Sequence, residues 1–275
     1  MPHATINNAR LWYDVMGKGE PLLLHHGYTA SRDNWMPIAE RLQDRFQVIL
    51  MECRGAGESE DTEDGYSLAQ YAEDVIGLVD HLGIQQFSYG GHSMGGGVGY
   101  VLAAQYAHRL NKLILMAPIP SGGIPGPNHE LLQQRVDARG RGDREFFLNT
   151  MRATRFRPDV QTDQWFERRT DHLLRISERH LLDGAETMAA LRLEDALPSI
   201  NVPTLMLAGA VDGLLQANLN DFMCLPNASL HVFSRAGHEV AIHEPDGVSE
   251  AIAAFMLHGP VTAKSLVAKE SRSGA

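Results

Sequence analysis

The sequence predicts an α/β domain with a mostly parallel central sheet flanked by helices. Short apolar runs alternate with amphipathic stretches along the 275 residues, as in strands that are joined by helices. A chain of this length buries roughly three quarters of its unfolded surface, which is enough for one sizeable core. No internal repeat is present, so a solenoid is excluded.

Seven apolar runs are predicted as strands, at residues 11–15, 22–25, 48–51, 87–89, 113–116, 205–207 and 230–233. Helical periodicity predicts helices at residues 33–42, 67–82, 94–108, 216–223 and 246–257. Ser67 is expected to cap the second of these helices, because serine at this position accepts a hydrogen bond from the first turn.

One segment interrupts the alternation of strands and helices. Residues 117–127 contain four prolines and three glycines and can continue neither a strand nor a helix. Residues 128–197 then show helical periodicity throughout, and Pro198 and Pro203 accompany the return to the sheet. We therefore predict a core of residues 1–118 and 199–258 and a helical insertion of residues 119–198. The polar residues 259–275 are expected to form a disordered tail.

The pentapeptide Gly91-His92-Ser93-Met94-Gly95 lies between a predicted strand and a predicted helix. A tight turn there can project a serine hydroxyl only if the residues two before and two after it have almost no side chain. Gly91 and Gly95 meet that need, so the pattern predicts a nucleophile elbow with Ser93 at its tip. The plainer alternative is a turn serine that caps the next helix.

An acid and a base are predicted on later loops. Asp212 stands just beyond the strand at 205–207, at the sheet edge where parallel sheets bind ligands. His238 stands on the loop after the strand at 230–233, directly behind a glycine. Asp221 is the alternative for the acid, and His243 is the alternative for the base.

Two further motifs complete a resemblance to a known family. Residues 22–28, L-L-L-H-H-G-Y, resemble a strand followed by a His-Gly oxyanion turn. Residues 52–59 resemble the motif D-x-R-G-x-G-x-S, with Glu52 in place of Asp and Ala56 where His is frequent. With the elbow and the order Ser, Asp, His, the chain resembles the α/β-hydrolase superfamily over about residues 5–257. The resemblance is to its compact esterases, lactonases and cofactor-free haloperoxidases.

The resemblance implies a role for each candidate residue. Ser93 would be the nucleophile, His238 its general base, and Asp212 the group that orients the imidazole. The backbone N–H groups of Tyr28 and Met94 would form the oxyanion hole. The ring of Tyr28 is expected either to line the pocket or to cover the turn.

The insertion resembles the cap domain that roofs the active site in this family. Its large apolar side chains are the source of pocket walls, although most of them are expected to pack within the cap itself. They are Leu131, Phe146, Phe147, Met151, Phe156, Trp165, Phe166 and Met188.

The function that follows is hydrolysis of a carboxylic ester or lactone of a small, largely uncharged substrate through an acyl-serine intermediate. Two alternatives stay open. The same triad cleaves carbon–carbon bonds of ring-fission products or supports perhydrolysis, and some proteins of this fold are small-molecule receptors. Dehalogenases and epoxide hydrolases carry Asp at the elbow, so Ser93 argues against both.

Composition limits the partners and the compartment. The chain has 24 Lys and Arg against 34 Asp and Glu, with no basic block, which argues against a nucleic-acid partner. The thirteen histidines lack metal-ligand spacing, so neither a metal nor a cofactor is expected. No leader or membrane-length apolar run is recognised, and two cysteines are too few for a disulfide framework. We therefore expect a cytoplasmic protein without a membrane partner.

Overall fold

A central sheet of eight strands organises the part of the chain that the computed structural model describes, residues 2–262. The strands are β1 (His3–Ile6), β2 (Ala9–Met16), β3 (Pro21–His25), β4 (Gln47–Met51), β5 (Phe87–His92), β6 (Leu110–Met116), β7 (Thr204–Gly209) and β8 (Ala228–Phe233). Their order is β1-β2-β4-β3-β5-β6-β7-β8. Pairing is antiparallel from β1 through β2 to β4 and parallel from β4 to β8. The mostly parallel sheet predicted from the sequence is confirmed.

Ten α-helices accompany these strands within the described residues. They are α1 (Met36–Leu42), α2 (Leu68–His81), α3 (Met94–Gln105), α4 (His129–Gly140), α5 (Arg144–Arg152), α6 (Asp163–Arg175), α7 (Glu178–Ala190), α8 (Leu215–Cys224), α9 (Val240–His243) and α10 (Pro245–His258). Ser67 caps α2 as predicted, and its hydroxyl accepts a hydrogen bond from the Gln70 N–H at 3.1 Å. The helix predicted at 94–108 ends at Gln105, and a short 3-10 turn follows at Ala107–Arg109.

Strands β3 to β7 are largely buried on both faces, which explains their continuous apolar runs. In β4, Ile49 and Met51 pack into one apolar cluster with α2 and α3. Val48 and Leu50, which alternate with them, pack into a second cluster with α1, α9 and α10. Because successive side chains of a strand point to opposite faces, one strand contributes to both layers of the core.

Helices α4 to α7 lie between β6 and β7, where the sequence predicts the insertion. The sequence predicts helical structure throughout residues 128–197. The structure differs, because residues 153–162 separate α5 from α6 without forming a helix. Each of the four helices begins after a polar residue whose side chain accepts a hydrogen bond from the first turn. These capping residues are Asn128, Asp143, Thr162 and Ser177.

Two short elements lack a counterpart in the sequence prediction. Strand β1 has four residues and a half-buried pattern at the sheet edge, so it shows no apolar run. Helix α9 is a single turn, too short to establish helical periodicity. Of the tail predicted at 259–275, residues 263–275 lie outside the described part of the chain.

Candidate active site

Ser93 occupies a strained turn between β5 and α3. Its backbone has φ 54° and ψ −113°, an unusual conformation for a residue with a side chain. A Cβ at Gly91 would lie 2.1 Å from the Gly95 carbonyl oxygen, and a Cβ at Gly95 would lie 2.6 Å from the His25 carbonyl oxygen. Both glycines are therefore required by the close approach of backbone segments. The Ser93 N–H donates to the Met116 carbonyl at 3.0 Å, which ties the turn to β6.

The structure brings the predicted serine, histidine and aspartate side chains into one hydrogen-bonded chain. The Oγ of Ser93 lies 2.9 Å from Nε2 of His238, and Nδ1 of His238 lies 3.0 Å from Oδ2 of Asp212. These distances suit a neutral imidazole whose Nδ1–H donates to Asp212 while Nε2 accepts from the Ser93 hydroxyl. The other carboxylate oxygen of Asp212 accepts from the Leu214 N–H at 3.1 Å, which fixes its orientation.

The contacts between His238 and Asp212 shift the pKa of each side chain so that its charged form is favoured. Burial by itself would lower the pKa of His238, but the hydrogen bond and charge of Asp212 outweigh it and raise the pKa above 6.5. Burial by itself would raise the pKa of Asp212, but the hydrogen bond and charge of His238 lower it overall. The pair therefore stabilises an imidazolium at His238.

The alternative acid and base are occupied elsewhere. Asp221 accepts hydrogen bonds from the Tyr100 hydroxyl at 3.0 Å and from the N–H and hydroxyl of Ser121 at 2.8 and 2.7 Å. His243 accepts from the Gly237 N–H at 3.2 Å. These contacts place Asp221 in the packing of α3 against α8, and His243 beneath the loop that carries His238.

The candidate oxyanion donors belong to the two turns that meet at Ser93. Met94 is the first residue of α3, and Tyr28 follows a turn whose Gly27 would place a Cβ 3.0 Å from the Ser93 Cβ. Among the described residues, no backbone group accepts a hydrogen bond from the N–H of Tyr28 or Met94. Both donors are thus free to bind an anion.

The ring of Tyr28 packs against the insertion. Its hydroxyl donates to the Leu181 carbonyl at 2.5 Å, and its ring stacks on His180 with centroids 5.5 Å apart. The ring therefore fastens the oxyanion turn to α7, which is closer to the second of the two expectations for this side chain.

Buried histidines support the site without titrating near neutral pH. His25 Nδ1 donates to the His26 carbonyl at 2.8 Å, and His26 Nε2 accepts from the Cys53 N–H at 3.1 Å. Sequence reasoning missed His92, whose Nε2 donates to the His238 carbonyl at 2.9 Å. Burial lowers the pKa of both His25 and His92 to about 4. His92, the second residue of the elbow pentapeptide, thus holds the loop of His238 in place. No pattern in the sequence predicts this role.

A cavity of about 220 Å³ lies between the insertion and the loops of the site. Thr29 and Glu239 line it from the core, and they directly follow Tyr28 and His238 in the chain. Five of the apolar residues expected to supply pocket walls line it, namely Phe146, Phe147, Met151, Trp165 and Phe166. The other three, Leu131, Phe156 and Met188, do not.

Polar side chains complete the lining of this cavity. Arg135 on α4 and Arg169 on α6 face it together with Glu239. Trp165 and Arg169 also border a second cavity of about 320 Å³ that lies toward α1. The sequence does not predict that these two arginines line a cavity, because the insertion contains many arginines and most of them are solvated or paired.

Neither a membrane-spanning helix nor a metal-binding cluster is present in the described part of the chain. No helix there has the length and apolar character needed to cross a membrane. Within the same residues, no cluster of three or more His, Cys, Asp or Glu side chains could hold a metal ion.

Comparison with known proteins identifies the family. The model of the α/β hydrolase fold family matches residues 20–245, and the chain belongs to this family. A non-heme haloperoxidase of Rhodococcus erythropolis is 26% identical over 277 residues, covering 93% of this chain and 99% of the relative. The 3-oxoadipate enol-lactonase 2 of Acinetobacter baylyi is 28% identical over 262 residues, covering 92% and 95% of the two chains.

A solved structure agrees with the assignment of the fold. The enol-lactonase from Burkholderia xenovorans superposes with a TM-score of 0.83 at 23% identity, covering 94% of this chain and all of that one. The similarity extends over the sheet and the insertion alike, since almost the whole chain is included.

Proposed function

We propose that the protein is a serine hydrolase that cleaves a carboxylic ester or lactone of a small molecule through an acyl-serine intermediate. The observation that carries this proposal is the hydrogen-bonded chain from Ser93 through His238 to Asp212 at the carboxyl ends of the strands. The family supports hydrolase chemistry, and a relative named as an enol-lactonase supports a lactone or ester as the substrate class.

In the first step, the Ser93 hydroxyl attacks the carbonyl carbon while His238 Nε2 accepts its proton. Because neutral serine is a weak nucleophile, this transfer is what makes the attack possible. Asp212 stabilises the imidazolium that forms, and the imidazolium then gives its proton to the departing alcohol oxygen. Water, activated in the same way by His238, hydrolyses the acyl-enzyme. In a lactone the alcohol stays attached to the acyl chain, so a single hydroxy acid leaves after that second step.

Each tetrahedral intermediate carries a negative charge on the former carbonyl oxygen, and this oxygen requires hydrogen-bond donors. The N–H groups of Tyr28 and Met94 would donate to this oxygen. Met94 also begins a helix of 12 residues, whose N-terminal end favours negative charge. Helices α4 to α7 would act as a cap that closes the cavity over Ser93.

Substitution of the nucleophile tests the proposal. Ser93→Ala removes the attacking oxygen, so kcat/KM should fall by roughly 10⁴- to 10⁶-fold on 4-nitrophenyl esters of increasing chain length and on a panel of lactones. Ser234→Ala, which removes an exposed serine just before the loop of His238, serves as the matched control and should keep wild-type activity.

Two accompanying measurements complete the test. Circular dichroism should show the same folded content in both variants, and a fluorophosphonate probe should label the wild type and Ser234→Ala but not Ser93→Ala. Activity of Ser93→Ala within tenfold of wild type would overturn the acyl-serine mechanism. Labelling of the wild type without hydrolysis of any ester or lactone would direct attention to carbon–carbon cleavage or a receptor role.

A further inference from the structure

Two arginines that line the cavity have no partner in the part of the chain that the structure describes. Within residues 2–262, the guanidinium groups of Arg135 and Arg169 make no ion pair and no hydrogen bond with another side chain or the backbone, and the Arg169 Nη1 atom is buried. Two other arginines of the insertion show the usual arrangement, in which the guanidinium is paired with a carboxylate. Arg144 binds Glu167 at 2.6 Å, and Arg157 binds Glu244 at 2.8 Å.

A buried N–H group without an acceptor is costly because it has lost water and gained no partner, and the Nη1 group of the half-buried Arg169 is in this position. Burial lowers the pKa of Arg169, and the nearby charges of Glu239 and Asp33 oppose that shift. Neither carboxylate reaches ion-pair distance from Arg169 among the described residues, and Glu239 instead accepts from the Asn34 amide at 2.5 Å. The cavity therefore contains hydrogen-bond donors that the protein itself leaves unused.

The cavity adjoins the chain segments that carry two of the candidate site groups. Glu239, which shares the cavity with Arg169, is the next residue after His238, and the charge of Arg169 acts to lower the pKa of His238. At Tyr28 burial raises the pKa of the hydroxyl to about 12, and the charge of Arg135 opposes that rise. Thr29 and Glu239, which line the cavity, directly follow Tyr28 and His238 in the chain, so a substrate at Ser93 that extends past these two residues would enter the cavity.

We propose that Arg135 and Arg169 bind a free carboxylate of the substrate, so that the ester or lactone cleaved at Ser93 also carries an anionic group at its far end. This inference rests on the proposed serine hydrolase function and deepens it. It differs from the expectation of a largely uncharged substrate in the sequence analysis, because neither composition nor the triad indicates the charge of the substrate. Two cations against one carboxylate, Glu239, give the lining an excess of positive charge, and planar guanidinium groups match a carboxylate in geometry.

Matched pairs of substrates test the carboxylate. Mono-4-nitrophenyl adipate is compared with 4-nitrophenyl hexanoate, which has the same acyl length without the charge. On the alcohol side, 4-acetoxybenzoate is compared with its methyl ester. The wild type should prefer the anionic member of at least one pair. Arg169→Gln and Arg135→Gln should each lower that preference, measured as the ratio of kcat/KM values, by about 10- to 100-fold.

Two variants act as controls. Arg179→Gln removes an exposed arginine from α7 that lines neither cavity, and it should leave both the activity and the ratio unchanged. Arg169→Lys keeps the charge and should retain part of the preference, which separates charge from folding. The ratio itself is insensitive to losses that affect both substrates equally.

Binding without turnover gives an independent measurement. Adipate binding to Ser93→Ala, followed by calorimetry, should weaken by a similar factor when Arg169→Gln is added. Hydrolysis of the neutral members of both pairs equally well or better by the wild type would overturn the inference and leave the serine hydrolase intact. Adipate binding that ignores Arg169 and Arg135, or is not detectable, would also overturn it.

Discussion

His238 illustrates how individual contacts set the working pH of the candidate site. The partial burial of its ring alone would disfavour the imidazolium and lower the pKa, yet the hydrogen bond and charge of Asp212 at 3.0 Å outweigh that effect and raise the pKa. The charge of Arg169 acts against the imidazolium, and the charge of Glu239 acts in its favour. The pKa of His238 therefore depends mainly on Asp212, since its hydrogen bond and charge are the largest contributions that raise it.

Replacement of Asp212 by asparagine should change both the rate and the pH profile. The base must be neutral to accept the proton of Ser93, so kcat/KM of the wild type should rise with pH through an apparent pKa above 6.5. Asp212→Asn removes the charge that favours the imidazolium, so the apparent pKa should move downward. kcat/KM should also fall roughly 10²- to 10⁴-fold.

The control for this experiment is Asp246→Asn, which removes an exposed carboxylate paired with Arg41 on the surface. It should leave the rate and the pH profile unaltered. An Asp212→Asn variant with the wild-type profile would show that another group, not this aspartate, governs His238.

The sequence predicts some of these residues and not others for a physical reason. Ser93, Asp212 and His238 have local signals, because glycine spacing and the ends of apolar strands are visible in the chain itself. The possible roles of Arg169 and His92 depend on which groups surround them after folding. An unpaired arginine looks the same in sequence as a paired one.

At the scale of helices, the insertion contains two kinds of attachment. Helix α7 is fastened to the core at several points. The Ser177 N–H donates to the Gly55 carbonyl at 2.8 Å, and the Thr187 hydroxyl accepts from the Leu68 N–H at 3.0 Å. His180 lies between them, with Nδ1 at 3.0 Å from the Tyr71 hydroxyl. Helix α7 is thus bonded to the core at these points, while its Leu181 and Ala185 pack with Leu132 and Val136 of α4.

The segment between α5 and α6 crosses to the core mainly through one side chain. Arg157 donates to the Glu244 carboxylate at 2.8 Å and to the Arg235 carbonyl at 3.1 Å. Beside it, the Phe156 ring packs on His243 with centroids 4.6 Å apart and lies over Gly237. This segment thus covers the loop of His238.

Loss of the Arg157 contacts should loosen that cover. In Arg157→Gln, amide hydrogen exchange over residues 153–162 should accelerate by about tenfold or more, while exchange in α7 should stay unchanged, because α7 has its own contacts. Arg141→Gln, which removes an exposed arginine paired only within the insertion, is the control and should exchange like the wild type. Equal acceleration in α7 would show that the insertion moves as one unit instead.

Elements of the core are predicted more completely than those of the insertion. Strands β3 to β7 are buried on both faces, so their apolar runs stand out, and only their ends differ by a few residues from the prediction. In the insertion, apolar residues are shared between helix packing and the cavity. The helical pattern therefore appears continuous where the chain turns at residues 153–162.

On the scale of the whole molecule, one buried ion pair joins segments that are distant in the chain. Arg54 donates through Nε and Nη2 to both carboxylate oxygens of Asp74, at 2.9 and 2.8 Å. The two side chains are 4% and 0% exposed. Asn7 and Gln70 also donate to Asp74, at 3.0 and 3.1 Å. The pair connects the β1–β2 turn, the loop after β4 and helix α2.

Removing one charge from this pair should destabilise the fold far more than removing a surface charge. Asp74→Asn leaves the Arg54 guanidinium buried without its counter-ion, and the free energy of unfolding should fall by about 3–5 kcal/mol. Asp80→Asn, which breaks the pair with Arg109 at a half-exposed carboxylate, is the matched control and should cost at most about 1 kcal/mol. Urea denaturation followed by tryptophan fluorescence measures both. Equal losses in the two variants would mean that the Arg54–Asp74 pair is hydrated and that the segments it connects are held together by the apolar core alone.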